Sequence, residues 1–178
     1  MEHKKRLSKI VTTIHIEPYL AEYAIRKFNH HSETDAVMFP PGSCVYCTVW
    51  ENMARPRANA STPAQEGNLT IFLPSRRAGI DGGKWKDPAY FNYLSPRAVN
   101  EIEAELREVF NLDLRRTILK NEKERRESKE KRIDVVNRFM QQYGLTAITE
   151  DALLKNYARY INRMSPQKPR KYRKKLQD

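Results

Sequence analysis

The sequence predicts an α+β fold, a small mixed N-terminal domain with a few strands and three helices. A helical, helix-turn-helix-like C-terminal segment and an unstructured basic tail come after it. Three observations lead there. Short β-branched runs alternate apolar and polar residues, as a half-buried strand requires. Between them lie segments whose apolar residues recur every three or four positions behind recognisable capping residues. Finally, the stretch from Lys120 to Arg132 contains no apolar residue at all, which sets the N-terminal two-thirds apart from the C-terminal end.

Ile10 to Ile16 reads as the first strand, with Ile10, Ile14 and Ile16 on one face. Pro18 suits the first turn of a helix, and Tyr19, Leu20, Tyr23, Ala24 and Phe28 then form an apolar stripe. Asn29 to Asp35 is polar and reads as a loop, Ala36 to Phe39 as a short strand, and Pro40-Pro41-Gly42 as a stop. Ser43 is placed to cap a second helix with Val45, Val49 and Met53 inward and Tyr46 and Trp50 beside them. After the Pro-, Ser- and Asn-rich segment 55–67, Leu69 to Leu73 alternates like a strand that Pro74 ends. Residues 75–93 form a second loop. Ser95-Pro96 then opens a third helix, whose buried stripe is Val99, Ile102, Leu106, Val109 and Phe110. No internal repeat is present.

The mixed-charge run 120–132 is rich in helix formers and reads as a solvated connector. Beyond it, Ile133, Val136, Met140 and Tyr143 line a fourth helix, with Val135 and Phe139 flanking, and Gly144 stands where a left-handed cap is needed. Thr149 caps a fifth helix, and Glu150 and Asp151 place negative charge at its positive end. There Leu153, Tyr157, Ile161 and Met164 make the buried stripe. The expected organisation is an α+β domain over 1–119, a charged helical connector over 120–132, a helical hairpin over 133–164 and a basic tail over 165–178.

Charge carries the functional expectation. The chain has a formal net charge of +11, and residues 1–114 hold 14 Lys/Arg against 14 Asp/Glu, whereas residues 115–178 hold 19 against 8. All the excess is C-terminal. A neutral body joined to a strongly basic end suits a polyanionic partner better than solubility alone requires. Lys155, Arg159 and Arg163 recur every four residues on the fifth helix, away from its apolar stripe, and Asn156 and Asn162 are positioned to add amide contacts. The tail adds Lys168, Arg170, Lys171, Arg173, Lys174 and Lys175, with Tyr172 as one base-stacking aromatic. A capped helix pair with one apolar side and one basic side is what a helix-turn-helix element needs. The match is imperfect: Met140 stands where a small residue is expected, Glu150 where an apolar one is, and the turn is long. Backbone binding is therefore expected ahead of sequence readout.

Other chemistry finds less support. Cys44 and Cys47 are the only cysteines, too few for a secreted disulfide scaffold and consistent with a reducing compartment, the cytoplasm. With His30 and His31 they make one Cys pair and one His pair, short of the two spaced clusters of a zinc site. A redox role for the CxxC pair lacks the βαβ context in which such pairs work, so buried or half-buried thiols are expected. Neither a metal nor a cofactor is expected. The loop AGIDGGKWKDP lacks the order of a phosphate-binding loop, no linear catalytic motif occurs, and no apolar run approaches a membrane span. The N-terminus lacks the apolar block and cleavage site of a signal peptide.

The runs HIEPYLAEYAIRKF (15–28), GNLTIFLPSRR (67–77), FNYLSPRA (91–98) and ITEDALLKNYARYINR (148–163) resemble small basic proteins of bacterial prophages and mobile elements. That resemblance implies a setting of phage or transposon DNA and transfers no functional residue. The C-terminal hairpin loosely resembles the helical core-binding domain of tyrosine recombinases, without their catalytic domain. The expectation is thus a DNA-binding accessory or regulatory protein, not an enzyme, with self-association left open. RNA binding, or a protein-interaction module with a basic tail, stand as alternatives.

Overall fold

The computed structural model describes residues 10–31, 35–56, 66–76, 84–124 and 130–164. In chain order they form β1 (Val11–Ile14), α1 (Pro18–Lys27), β2 (Asn29–His31), β3 (Ala36–Met38), α2 (Cys44–Asn52), β4 (Leu69–Phe72), α3 (Pro96–Glu124), α4 (Arg132–Tyr143) and α5 (Glu150–Met164). The α+β class is as the periodicities predict.

The sheet has four strands in the order β1-β4-β3-β2. β1 runs antiparallel to β4, with Val11 opposite Phe72 and Ile14 opposite Leu69, and Thr13 and Thr70 share a hydroxyl hydrogen bond of 3.1 Å. Beyond the strand end, the Asn68 side chain accepts from the Ile16 N–H at 3.0 Å and donates to its carbonyl at 2.8 Å. Gly67 lies so close to the Ile14 carbonyl that a Cβ would overlap it, which explains a glycine there. β4 pairs with β3 in parallel, Val37 opposite Ile71, and β3 pairs antiparallel with β2.

Two features of this sheet depart from the expectation. The polar segment 29–35 contains β2, a strand whose sequence has no apolar alternation and whose pairing comes from the neighbouring backbone of Ala36–Met38. And because β3 leads into α2, which returns to a parallel β4, the chain does contain a βαβ unit, with the CxxC pair on its helix.

Ser43 caps α2 as its position predicts, its Oγ accepting from the Tyr46 N–H at 3.2 Å, and Val45, Val49 and Met53 are all buried. The other end of α2 is closed by Lys86. Its ammonium donates to the carbonyls of Trp50, Glu51 and Met53 at 2.7, 2.9 and 2.9 Å and lies 4.7 Å from the Trp50 ring centre. Burial pulls the Lys86 pKa down, with Glu51 opposing that shift. This loop lysine thus satisfies helix-end carbonyls that would otherwise lack donors.

α3 begins at the Ser95 cap, whose Oγ accepts from the Ala98 N–H at 3.2 Å, but it runs for 29 residues, well into the expected connector. Ala98, Ile102, Leu106, Phe110, Leu114 and Ile118 are buried at intervals of four, so one apolar face continues to the edge of the charged run. Asn121 is buried beyond it and donates to Glu130 at 2.8 Å. α3 packs against α1, α2 and α4 and is the central element of the molecule.

The hairpin forms as its caps predict but is packed differently. In α4 the buried residues are Val135, Val136 and Phe139, while Ile133 is 39% exposed and Met140 and Tyr143 are half-buried. The helix turns Val135 and Phe139 inward because it lies against α3 and α1 as well as α5. In α5 Leu153 and Tyr157 are fully buried, but Ile161 is only partly covered and Met164 is 68% exposed, so the stripe ends early. Val135, Val136, Phe139, Leu153 and Tyr157 belong to the same core cluster as Ile14, Val37 and Ile71. Aromatic rings join the parts: Tyr23 of α1 packs on Phe110 of α3 at 5.1 Å and on Tyr143 of α4 at 4.8 Å, and Phe110 meets Phe139 at 5.7 Å. The expected division at 120–132 is therefore not a division of the core.

Candidate nucleic-acid interface

α4 ends at Gly144, which adopts φ 62° and ψ 37°. The Leu145 N–H reaches back to the Met140 carbonyl at 2.9 Å and the Gly144 N–H to that of Gln141 at 3.2 Å, a left-handed helix stop of the kind glycine permits. The turn beyond it is held from outside. Glu22 of α1 accepts from the backbone N–H groups of Thr146 and Ala147 at 2.8 and 3.2 Å and from the Thr146 hydroxyl. Burial acts to raise the Glu22 pKa, but the hydrogen bonds from Thr146 and Ala147 outweigh it and hold the carboxyl below its ordinary value. Thr149 then caps α5, accepting from the Ala152 N–H at 3.3 Å.

These anchors fix how α5 is rotated. With Leu153 and Tyr157 inward, Lys155, Arg159, Asn162 and Arg163 are all exposed on the opposite side. At about 100° per residue they occupy an arc of roughly 100°, and Lys155 and Arg163 are separated by about 12 Å along the axis. Lys155 forms an ion pair with Asp151 at 2.6 Å, but both side chains are largely solvent-exposed, so the pair is weak and easily exchanged. Arg159 and Arg163 form no ion pair among the described residues. Asn156 is placed differently: it is half-buried, and its amide donates to Asn111 of α3 at 3.0 Å. It serves the α3–α5 contact and lies beside the exposed row. Lys168, Arg170, Lys171, Tyr172, Arg173, Lys174 and Lys175 lie outside the described residues.

Beside the row, a shallow groove of about 500 Å³ runs between the start of α4 and α5, lined by Lys131, Arg132, Ile133, Leu154, Lys155 and Ala158. Within it Arg132 is committed to the fold. Its guanidinium pairs with Glu122 at 2.6 Å and lies 5.3 Å from the Tyr157 ring centre. Tyr157 donates to the same Glu122 at 2.9 Å, and burial with that hydrogen bond pushes its pKa up to about 12. Arg115 sits 4.4 Å from the Tyr160 ring centre. Lys131 remains exposed in the groove.

Sequence reading missed a second set of cations. Arg116, Lys120 and Lys123 lie four and three residues apart on the exposed side of α3, and none forms an ion pair among the described residues. Their helical spacing is visible in the sequence, but assigning 120–132 to a connector hid it. By contrast, three N-terminal cations have carboxylate partners, whereas Arg26, Arg76 and Lys84 are exposed. Arg107 pairs with Glu17 at 3.1 Å and also with Glu103, Arg97 with Glu101 at 3.0 Å, and Lys27 with Asp113, which also accepts from Tyr23.

Among the described residues no group of three or more His, Cys, Asp or Glu side chains is arranged to hold a metal ion, and no helix is long and apolar enough to cross a membrane. The side chains of His30 and His31 lie outside the description. Compared with known protein families, curated proteins and solved structures, the chain matches none.

Proposed function

We propose that this chain binds nucleic acid, duplex DNA in the first place, through the exposed basic row of α5 and the basic segment C-terminal to it, as an accessory or regulatory protein of a mobile element. The observation that carries the reading is the rotation of α5: Leu153 and Tyr157 are locked into the core while Lys155, Arg159 and Arg163 face solvent together, with Asp151 as their one ion-pair partner among the described residues. Cations so placed can meet phosphates without giving up internal partners, and each phosphate neutralised releases condensed counterions. Arg116, Lys120, Lys123 and Lys131 supply further positive charge, without ion pairs among the described residues. The mobile-element setting rests on the sequence resemblance alone.

Affinity of the full chain for a duplex, measured across a salt series, tests the reading. Replacing Lys155, Arg159 and Arg163 together with Ala should weaken binding and lower the slope of log affinity against log salt by roughly 2 to 3, about 0.9 for each phosphate no longer neutralised. Since all three are exposed, thermal stability should stay within about 0.5 kcal/mol of the parent. An unchanged slope in a folded variant would remove α5 from the interface. Structured RNA competing better than duplex at matched salt would transfer the same surface to RNA.

A further inference from the structure

The first turn of α2 carries a second candidate chemistry, independent of nucleic-acid binding. Cys44 and Cys47 are both free thiols; Cys47 is partly covered as expected, but Cys44, the first residue of the helix, is exposed instead of covered. They stand three residues apart at the start of a helix that leaves β3 and returns to the parallel β4. In such a unit the helix N-terminus and the carboxyl ends of the parallel strands open at one edge, where open α/β sheets bind their ligands. A hollow of about 200 Å³ lies at that edge, lined in part by Phe39, Pro41, Tyr46, Phe72 and Pro74, with neither cysteine in its lining. Tyr46 lies between the two cysteines in sequence.

We infer that Cys44 and Cys47 form a reversible dithiol–disulfide couple that exchanges with small disulfides of the glutathione type. Two helical residues three apart have Cβ atoms about 5–6 Å apart, close to but beyond the roughly 3.5–4.5 Å of a disulfide. The remaining closure is cheap at this place. The Cys47 N–H is bonded to the Ser43 carbonyl at 3.0 Å and the Tyr46 N–H to Ser43 Oγ, but the N–H groups of Cys44 and Val45 precede the first intrahelical acceptor, so the backbone at Cys44 can shift while the helix ladder stays intact. Upstream, a turn closed by the Ser43 N–H on the Pro40 carbonyl at 3.1 Å, with Gly42 at φ 86°, holds the entry to the helix.

The exposures assign the order of events. The thiolate of exposed Cys44 attacks one sulfur of the disulfide, the S–S bond breaks, and the departing thiolate takes up a proton. The thiolate of Cys47 then attacks the Cys44 sulfur of the mixed disulfide and expels the second thiol. The protein dithiol is oxidised by two electrons, and one small disulfide is reduced to two thiols.

Incubating the reduced full chain with glutathione and glutathione disulfide at graded ratios, then trapping free thiols with an alkylating agent and weighing the intact chain, tests this. The expected product lacks two hydrogens and takes up no alkylating agent, and its formation reverses with excess glutathione. C47S should accumulate a single glutathione adduct at residue 44, and C44S should react markedly more slowly, both with the parent's circular dichroism. Accumulation of stable glutathione adducts on the parent chain, or failure to lose two hydrogens at any ratio, would overturn the inference.

Discussion

Glu22 shows how one side chain orients the candidate interface. Its carboxylate accepts three hydrogen bonds from Thr146 and Ala147, so the α4–α5 turn is tied to α1, a connection more than 120 residues long in sequence. Glu22→Gln would keep one acceptor oxygen and lose the charge, and should destabilise the fold by about 1 kcal/mol, charge-assisted bonds being the stronger kind and partial exposure reducing the effect. The pH dependence has a defined sign. A carboxyl whose folded pKa lies below its unfolded one contributes stability above the unfolded pKa and loses it as pH falls through the folded value. The stability gap between parent and variant, from denaturant titrations, should therefore be full near neutral pH and shrink below roughly pH 4. A gap that stays constant into acid would mean that the charge on Glu22 does not support the turn. At this scale the caps were legible: Ser43, Ser95, Gly144 and Thr149 all act where their residue types predict. Glu22 was not, because nothing local distinguishes it from any exposed glutamate.

The helix α3 marks the limit of periodicity as a guide. Its stripe through Phe110 was readable; Leu114 and Ile118 continue the same interval of four to the edge of the expected connector, and the helix runs on through Glu124 with Asn121 buried. Charge on one side of a helix says nothing about the other side, and that is why the run of α3 past residue 119 was not visible in the sequence. If the second half of α3 is core, Ile118→Ala should cost about 2–5 kcal/mol, as for other fully buried aliphatic truncations, and shift the denaturation midpoint accordingly. A cost under about 0.5 kcal/mol, the usual size of a surface substitution, would return this segment to the solvent. The strands mark a different limit. β1 and β4 show their alternation, whereas β2 and the parallel register of β3 with β4 depend on pairing between distant segments that no window contains. The same blindness hid the βαβ unit around the two cysteines.

At the scale of the whole molecule, electrical asymmetry and mechanical unity coexist. The positive charge gathers in the last third, while the core that fixes α5 draws on the sheet, α1, α3 and α4 together. The basic row is exposed because Leu153 and Tyr157 are held inward, and they are held by the cluster that contains Val135 and Phe139, itself packed on Phe110 and, through Tyr143, on Tyr23. Cutting the chain at 119 would strip α4 from these rings and expose Phe110, Leu114 and Ile118, so neither piece should fold alone. Trp50, in α2 at 6% exposure, and Trp85, in the loop before α3, report on the N-terminal part, whereas circular dichroism is weighted by the helices, α4 and α5 among them. One shared core predicts that tryptophan fluorescence and circular dichroism trace coincident urea transitions with a single midpoint. Two separated midpoints, with part of the helical signal lost first, would show that the hairpin is an independent unit and that its basic face is not oriented by the rest of the fold.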